Sequence, residues 1–136
     1  MAGPPVEILR QVPLFEGLDD ATLAQLSGDF TERQFADGTE ITKEGVGGLN
    51  FFVVETGEAT ITVGGSQVGT LGPGDSFGEI ALVDKAARAA TITATTAVRA
   101  WALPVWSFRS FVETRPDVAW KLLEILADRL RATQAR

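Results

Sequence analysis

A glutamate and an arginine nine positions apart, set among small residues, are the side chains best suited to bind a ligand. Glu79 follows Gly78 and opens a short apolar segment, and alanines flank Arg88 on both sides. The free amides of a helix start would attract an anion, and a guanidinium adds a bidentate hydrogen bond to phosphate oxygens. Glu79 can accept a hydrogen bond from a sugar hydroxyl. A phosphate and a ribose together indicate a nucleotide.

Each of these residues also has a structural interpretation. Arg88 could be a surface arginine paired with Asp84 or Glu79, and Glu79 could be a helix-capping carboxylate. Gly78 differs from the turn glycines, because a side chain there would crowd the sugar or the phosphate. The choice between the two interpretations depends on the rest of the sequence.

Composition excludes many kinds of chemistry. The 136 residues include no cysteine and no histidine, which removes disulfides, Ser-His-Asp and Cys-His catalysis, and zinc held by His or Cys. The net charge of −6 argues against direct nucleic-acid binding through a basic face. No apolar run reaches the roughly 18 residues of a membrane span, and the first residues lack signal-peptide character. We therefore expect a cytoplasmic location without membrane insertion.

The chain reads as a single domain, residues 1–136, in three regions. Residues 4–28 are helical, 29–103 are rich in strands, and 104–135 are helical again. Eleven of the fourteen glycines punctuate the middle region, and its many short strands predict a small barrel or jelly roll. The candidate strands are 30–35, 40–43, 50–55, 59–63, 67–71, 91–95 and 97–103.

The helices that must flank the strands have clear signals. The run Leu18-Asp19-Asp20 is expected to supply the N-cap of a second helix, and Pro104 begins the C-terminal helices. The last helix, 118 to about 133, carries two apolar stripes, so we expect it to be covered twice. One stripe is Val118, Leu122, Ile125 and Arg129; the other is Trp120, Leu123, Ala127 and Leu130, a candidate homodimer seam. Trp101, Trp106 and the phenylalanines are assigned to the core.

Residues 77–91 resemble the phosphate-binding cassette of the cyclic nucleotide-binding domain family. The family pattern is Phe-Gly-Glu-[Leu/Ile]-Ala-Leu, a short loop, then Arg-[Ala/Ser/Thr]-Ala-[Thr/Ser], and the sequence fits it throughout. The resemblance covers roughly residues 8–133, including 12–15 and 51–58; Leu49 departs from it, since many members have an acidic residue there. It implies an α+β, mainly β fold: an eight-stranded antiparallel β-barrel or jelly roll with N-terminal helices, a short cassette helix and C-terminal hinge and lid helices.

The resemblance also implies roles for individual residues. Glu79 would bond the ribose 2′-hydroxyl, and Arg88 with the cassette amides would hold the cyclic phosphate. Ala89 stands where cGMP-selective members carry Thr, so cAMP is favoured over cGMP. Thr133 and an apolar cap (Trp120, Leu123 or Leu130) would meet the base. The expected ligand-binding residues are Phe77, Gly78, Glu79, Ile80, Ala81, Leu82, Arg88, Ala89, Ala90, Trp120, Leu123 and Thr133.

The function that follows is regulatory binding without catalysis, a cofactor or a metal. Ligand binding would contract the cassette, shift Leu82 and Val83 against residues 108–112, and move the last helix over the base. The signal would pass to an effector domain or a protein partner. The alternative is an orphan interaction domain with the same fold and no ligand, or a different one; the intact Glu79 and Arg88 argue against it.

Overall fold

The computed structural model describes residues 3–45, 49–78 and 90–134. Within these residues, helix α1, a short 3-10 turn and helix α2 are followed by eight strands and then by helices α3 and α4. Their bounds are α1 Val6–Arg10, the turn Pro13–Phe15, α2 Asp20–Ser27, β1 Thr31–Phe35, β2 Glu40–Thr42, β3 Asn50–Thr56, β4 Ala59–Val63, β5 Ser66–Leu71, β6 Ser76–Phe77, β7 Thr91–Ala94, β8 Val98–Pro104, α3 Val105–Glu113 and α4 Pro116–Gln134.

The strands form two four-stranded antiparallel sheets. The first sheet has the order β1-β8-β3-β6, and the second has the order β2-β7-β4-β5. The mainly β, antiparallel prediction is confirmed. Of the predicted barrel or jelly roll, the barrel is not formed: across the described residues no strand pairing joins the two sheets. Closure needs edge strands that pair on both sides, and β6, at one edge of the first sheet, has only two residues.

Three layers result, because the first sheet is covered on both faces. In β3, Phe51 and Val53 point to the helices, while Phe52 and Val54 point to the second sheet. All four are buried. Strand β8 alternates in the same way, with Trp101 and Leu103 on the helical side. The side between the sheets holds Phe52, Val54, Ala59, Phe77, Ile92, Ala94, Val98, Ala100 and Ala102.

The helical layer starts and ends largely where the sequence predicts. The Asp19 carboxylate accepts a hydrogen bond from the Thr22 amide at 2.8 Å, which confirms the cap of α2. Helix α4 begins at Pro116, two residues earlier than predicted, since proline suits the first turn. Trp106, assigned to the core, is 61% exposed, and that prediction is wrong. Within the described chain, no helix is both long and apolar enough to cross a bilayer.

One of the two apolar stripes of α4 packs against the rest of the protein. Val118 and Leu122 are buried among the helices and the first sheet, and Ile125 packs against the same cluster. Trp120 and Leu123, on the other stripe, are 64% and 55% exposed. Helix α4 is therefore covered once in this structure, and the second stripe is open to solvent.

Candidate functional site

The predicted cassette is the connection between the two sheets. It leaves the first sheet at Phe77, in edge strand β6, and enters the second sheet at Thr91, the first residue of β7. Two of the predicted ligand-binding residues lie at the ends of described segments. Gly78 is the last residue of the segment 49–78, and the half-buried Ala90 is the first residue of the segment 90–134. The others of the cassette lie outside the described residues: Glu79, Ile80, Ala81, Leu82, Arg88 and Ala89.

Packing and backbone geometry fix the start of this connection. The Phe77 ring is buried and stacks on Phe52, with centroids 5.1 Å apart and planes 19° apart. Its side chain thus belongs to the core between the sheets. Gly78 has φ +90°, a conformation that residues with a Cβ rarely adopt. Glycine is required there for a backbone reason that the sequence alone did not show.

Hydrogen bonds fix the end of the connection. The hydroxyl of Thr91 accepts a hydrogen bond from the backbone amide of Glu44 at 2.9 Å. The Glu44 carboxylate in turn accepts one from the amide of Gly64, also at 2.9 Å. Thr91 also pairs with Thr62 in the neighbouring strand β4. The first residue of β7 is thereby held by Glu44 and by its pairing with Thr62, and Glu44 links it to the turn at Gly64.

The inner face of the second sheet offers an apolar wall. Ile61 lies opposite Ile92 on one side and Gly69 on the other. Ile61 and Gly69 are only half-buried, so the wall is accessible. A Cβ built at Gly69 would lie 3.4 Å from Cδ1 of Ile61, an ordinary van der Waals contact. Gly69 was not among the predicted site residues; the pairing of β5 with β4 places it beside Ile61.

The residues predicted to cap the base stand apart from this wall. Trp120 and Leu123 lie on the exposed stripe of α4, and the side chain of Thr133, in the last turn, lies outside the described residues.

The start of α4 is held against the N-terminal helices. The Arg115 guanidinium donates a hydrogen bond to the Thr22 hydroxyl at 2.8 Å.

Electrostatics reinforce this junction of α2, α3 and α4. Arg115 also donates hydrogen bonds to the Asp117 carboxylate at 3.2 and 3.0 Å, which lower the pKa of Asp117. Hydrogen bonds from Thr22, and more weakly the charge of Arg115, lower the pKa of Asp19. Both carboxylates are surface groups, so screening by water keeps each contribution small.

A comparison with protein families identifies the class. The model of the cyclic nucleotide-binding domain matches residues 32–115, well over half of the chain. This stretch runs from β1 to the residue before α4 and includes the whole predicted cassette. The chain belongs to the cyclic nucleotide-binding domain family, as its cassette pattern indicates.

Relatives in this family include regulators from bacteria and fungi. A CRP-like cAMP-activated global transcriptional regulator of Mycobacterium tuberculosis is 31% identical over 132 residues, which cover 93% of this chain and 59% of the relative. A cAMP-dependent protein kinase regulatory subunit of Debaryomyces hansenii is 38% identical over 104 residues, 75% of this chain and 23% of that protein. This chain therefore spans less than two thirds of either relative.

A solved structure shares the architecture. The catabolite activator protein of Thermus thermophilus superposes with a TM-score of 0.82 at 30% sequence identity, over 90% of this chain and 60% of that one. The match extends beyond the sheets, since residues 32–115 alone are a smaller share of the chain. The helices and the two sheets therefore keep a common arrangement in both proteins.

Proposed function

We propose that this domain binds a cyclic nucleotide, cAMP in preference to cGMP, and acts as a regulatory sensor that performs no catalysis. The observation that carries the proposal is the position of the cassette pattern. It spans from Phe77, packed between the sheets, to Thr91, tied into the second sheet, beside the half-buried wall at Ile61 and Gly69. Both ends of the phosphate-binding segment are thus held next to an apolar surface that suits a base.

Within this site the charged residues take complementary roles. Glu79 accepts a hydrogen bond from the ribose 2′-hydroxyl, and Arg88 pairs with the cyclic phosphate. The amides of Ile80, Ala81 and Ala90 complete the anion site. Ala89, where cGMP-selective members carry Thr, leaves no hydroxyl for guanine. The names of the two relatives, cAMP-activated and cAMP-dependent, support the same choice of base.

We further propose that ligand binding moves the C-terminal helices. Trp120 and Leu123 are exposed, so either can cover a base only if part of α4 changes position. Val118 and Leu122 are buried in the helical layer, and exposing each would cost about 1.5–3 kcal/mol. A movement that displaces the helix beyond Leu122 and keeps these two residues buried therefore requires the least binding free energy from the ligand.

The recipient of this signal is an effector. The curated relatives are regulators longer than this chain, so we propose that the domain controls either an attached domain or a separate protein. Movement of α4 would make its exposed apolar stripe available to the effector or remove it from contact. A second copy of the chain is one candidate for that contact.

Calorimetric titration of the chain, stripped of any bound nucleotide, tests the proposal with cAMP and then with cGMP. We expect one-to-one binding, and Arg88→Ala should weaken it on the order of 100- to 5,000-fold. This range follows from roughly 3–5 kcal/mol for breaking a buried charge pair, at about 1.4 kcal/mol per decade. Arg33→Ala is the matched control, since it removes the same charge from an exposed position on β1.

Circular dichroism of each variant establishes that it is folded. A loss below tenfold for Arg88→Ala, or an equal loss for Arg33→Ala, would place the phosphate elsewhere. A folded wild-type chain that gives no heat with either nucleotide would contradict the proposed function. The orphan interaction domain would then be the better explanation.

A further inference from the structure

Glu44 makes a bridge over the first residue of β7. It follows β2, and in the second sheet β7 lies between β2 and β4. Its backbone amide donates to the Thr91 hydroxyl, and its carboxylate accepts from the amide of Gly64, in the turn after β4. Glu44 therefore reaches from one neighbour of β7 to the turn beyond the other. We call the contacts among Glu44, Thr91 and Gly64 the brace.

We propose that the brace is a positioning device for the phosphate site, and that Glu44 acts through the backbone of Thr91 on Arg88. The inference rests on the proposed function. Thr91 is three residues after Arg88, so the two Cα atoms are at most about 11 Å apart. Any freedom at Thr91 is passed to the arginine that must meet the phosphate.

The start of the cassette does not need such a device. Phe77 is buried and stacked on Phe52, so packing holds it. Thr91 is half-buried at the end of a short strand, where hydrogen bonds to water compete with those to the protein. The Thr91 hydroxyl and the Glu44 carboxylate each accept a hydrogen bond from a backbone amide outside the strand, which holds this end of the cassette where packing is incomplete.

The direction in which mutation of Glu44 changes the ligand affinity distinguishes the brace from a simple electrostatic effect. Removing the negative charge of Glu44 leaves the chain less acidic, which by Coulomb attraction alone favours an anionic ligand. The brace predicts the opposite, weaker binding, for Glu44→Ala. Glu44→Gln removes the charge but keeps an oxygen that can accept from Gly64, and it should bind like the wild type.

The experiment measures cAMP affinity by calorimetry in these variants and in two matched controls. We expect Glu44→Ala and Thr91→Val each to bind about two- to tenfold more weakly, a change of about 0.4–1.4 kcal/mol, the scale of one hydrogen bond. Thr91→Ser keeps the hydroxyl and should restore binding. Glu40→Ala removes the same charge from exposed β2, and Thr93→Val makes the same change two residues along β7; both should leave the affinity unchanged.

A double-mutant cycle tests whether the effect passes through the arginine. In an Arg88→Lys background, the loss caused by Glu44→Ala should shrink, because a residue that acts through Arg88 has less left to position. Thermal unfolding monitors stability, which a purely structural contact would change without changing the affinity.

The outcomes separate this inference from the proposed function. If the wild type binds cAMP and Glu44→Ala binds as well as Glu40→Ala does, the brace has no positioning role and the proposed function stands. If Glu44→Gln is as weak as Glu44→Ala, an oxygen that can accept from Gly64 does not preserve the affinity, and the inference is wrong. If the folded wild type binds neither nucleotide, both are overturned.

Discussion

The backbone of Gly78 gives a direct test of where the ligand binds. Its φ is +90°, while Gly17 and Gly38 have φ +88° and +89°. An L-residue in this left-handed region costs about 1–2 kcal/mol. For a chain of this length, 1 kcal/mol corresponds to a shift in Tm of about 3–5 °C. Replacing Gly17 or Gly38 by alanine should therefore lower Tm by about 3–10 °C, and Gly78→Ala should lower it by less.

Affinity should distinguish the three positions. Gly78 immediately precedes Glu79, so the free chain can relieve the strain of Gly78→Ala by shifting the cassette, whereas a bound nucleotide prevents that shift. The strain then appears as a loss of cAMP affinity of about five- to thirtyfold. Gly17→Ala and Gly38→Ala meet no heavy atom within 4 Å and bear the same strain with or without ligand, so their Kd should not change.

Differential scanning calorimetry and isothermal titration on the same preparations would supply both quantities. The reasoning is refuted if Gly78→Ala lowers Tm like the two controls and yet binds cAMP within twofold of the wild type. It is equally refuted if all three variants lose affinity together, because the loss would then reflect general destabilisation.

Three further predictions concern base choice, the packing of α4 and acid stability. Ala89→Thr should raise affinity for cGMP relative to cAMP by about 1 kcal/mol, one hydrogen bond, in paired titrations; an unchanged ratio would mean that this position does not face the base. Leu122→Ala should lower the free energy of unfolding in urea by about 2–5 kcal/mol, and Leu123→Ala by no more than about 0.5, because only Leu122 is buried; equal effects would contradict the assigned faces. The pKa of Asp19 is lowered in the folded state, so its contribution to stability is present above the ordinary value of about 3.9 and is lost as pH falls through the lowered one. The stability advantage of the wild type over Asp19→Asn should therefore shrink below about pH 4 in urea titrations, and an advantage that does not change with pH would be inconsistent with that shift.

Apolar periodicity is clearer in the second sheet than in the first. In β4 and β7, apolar and polar residues alternate, and Ala59 and Ile61 lie opposite Ala94 and Ile92 on the inner face. The continuous apolar run in β3 has no such period, because helices cover one face of the first sheet and the second sheet covers the other. Strand β6 was missed, since two residues are too few to show a period.

Helical spacing explains the error at Trp106 and the open face at Trp120. Each tryptophan lies two residues before a buried residue of the same helix, Phe108 in α3 and Leu122 in α4. Two residues correspond to about 200° around a helix, so the tryptophan faces away from the core. Residue type suggested burial for Trp106, whereas its position relative to Phe108 and Phe111 predicted exposure and was the better signal.

The residues of the site could be predicted from the sequence more fully than the contacts that surround them. The cassette pattern identified the family that the comparison confirms, because phosphate and ribose recognition need particular residue types at fixed spacing. The roles of Glu79 and Arg88 still rest on that resemblance. The contacts of Glu44 could not be predicted, because its partners Gly64 and Thr91 are 20 and 47 positions away along the chain and meet only through the order of the strands.

The three-layer arrangement restricts how a ligand could reach the helices. The proposed site lies between the sheets, and the helices lie on the opposite face of the first sheet. The direct path crosses β3 and β8, which are packed on both faces, and close-packed layers of this kind resist displacement. Strand β6 offers another path, because it is a two-residue edge strand that leads straight into the cassette. We therefore expect ligand-induced changes in hydrogen exchange to appear at β6 and α4 while the amides of β3 and β8 stay protected; loss of protection in β3 would show that the signal crosses the sheet instead.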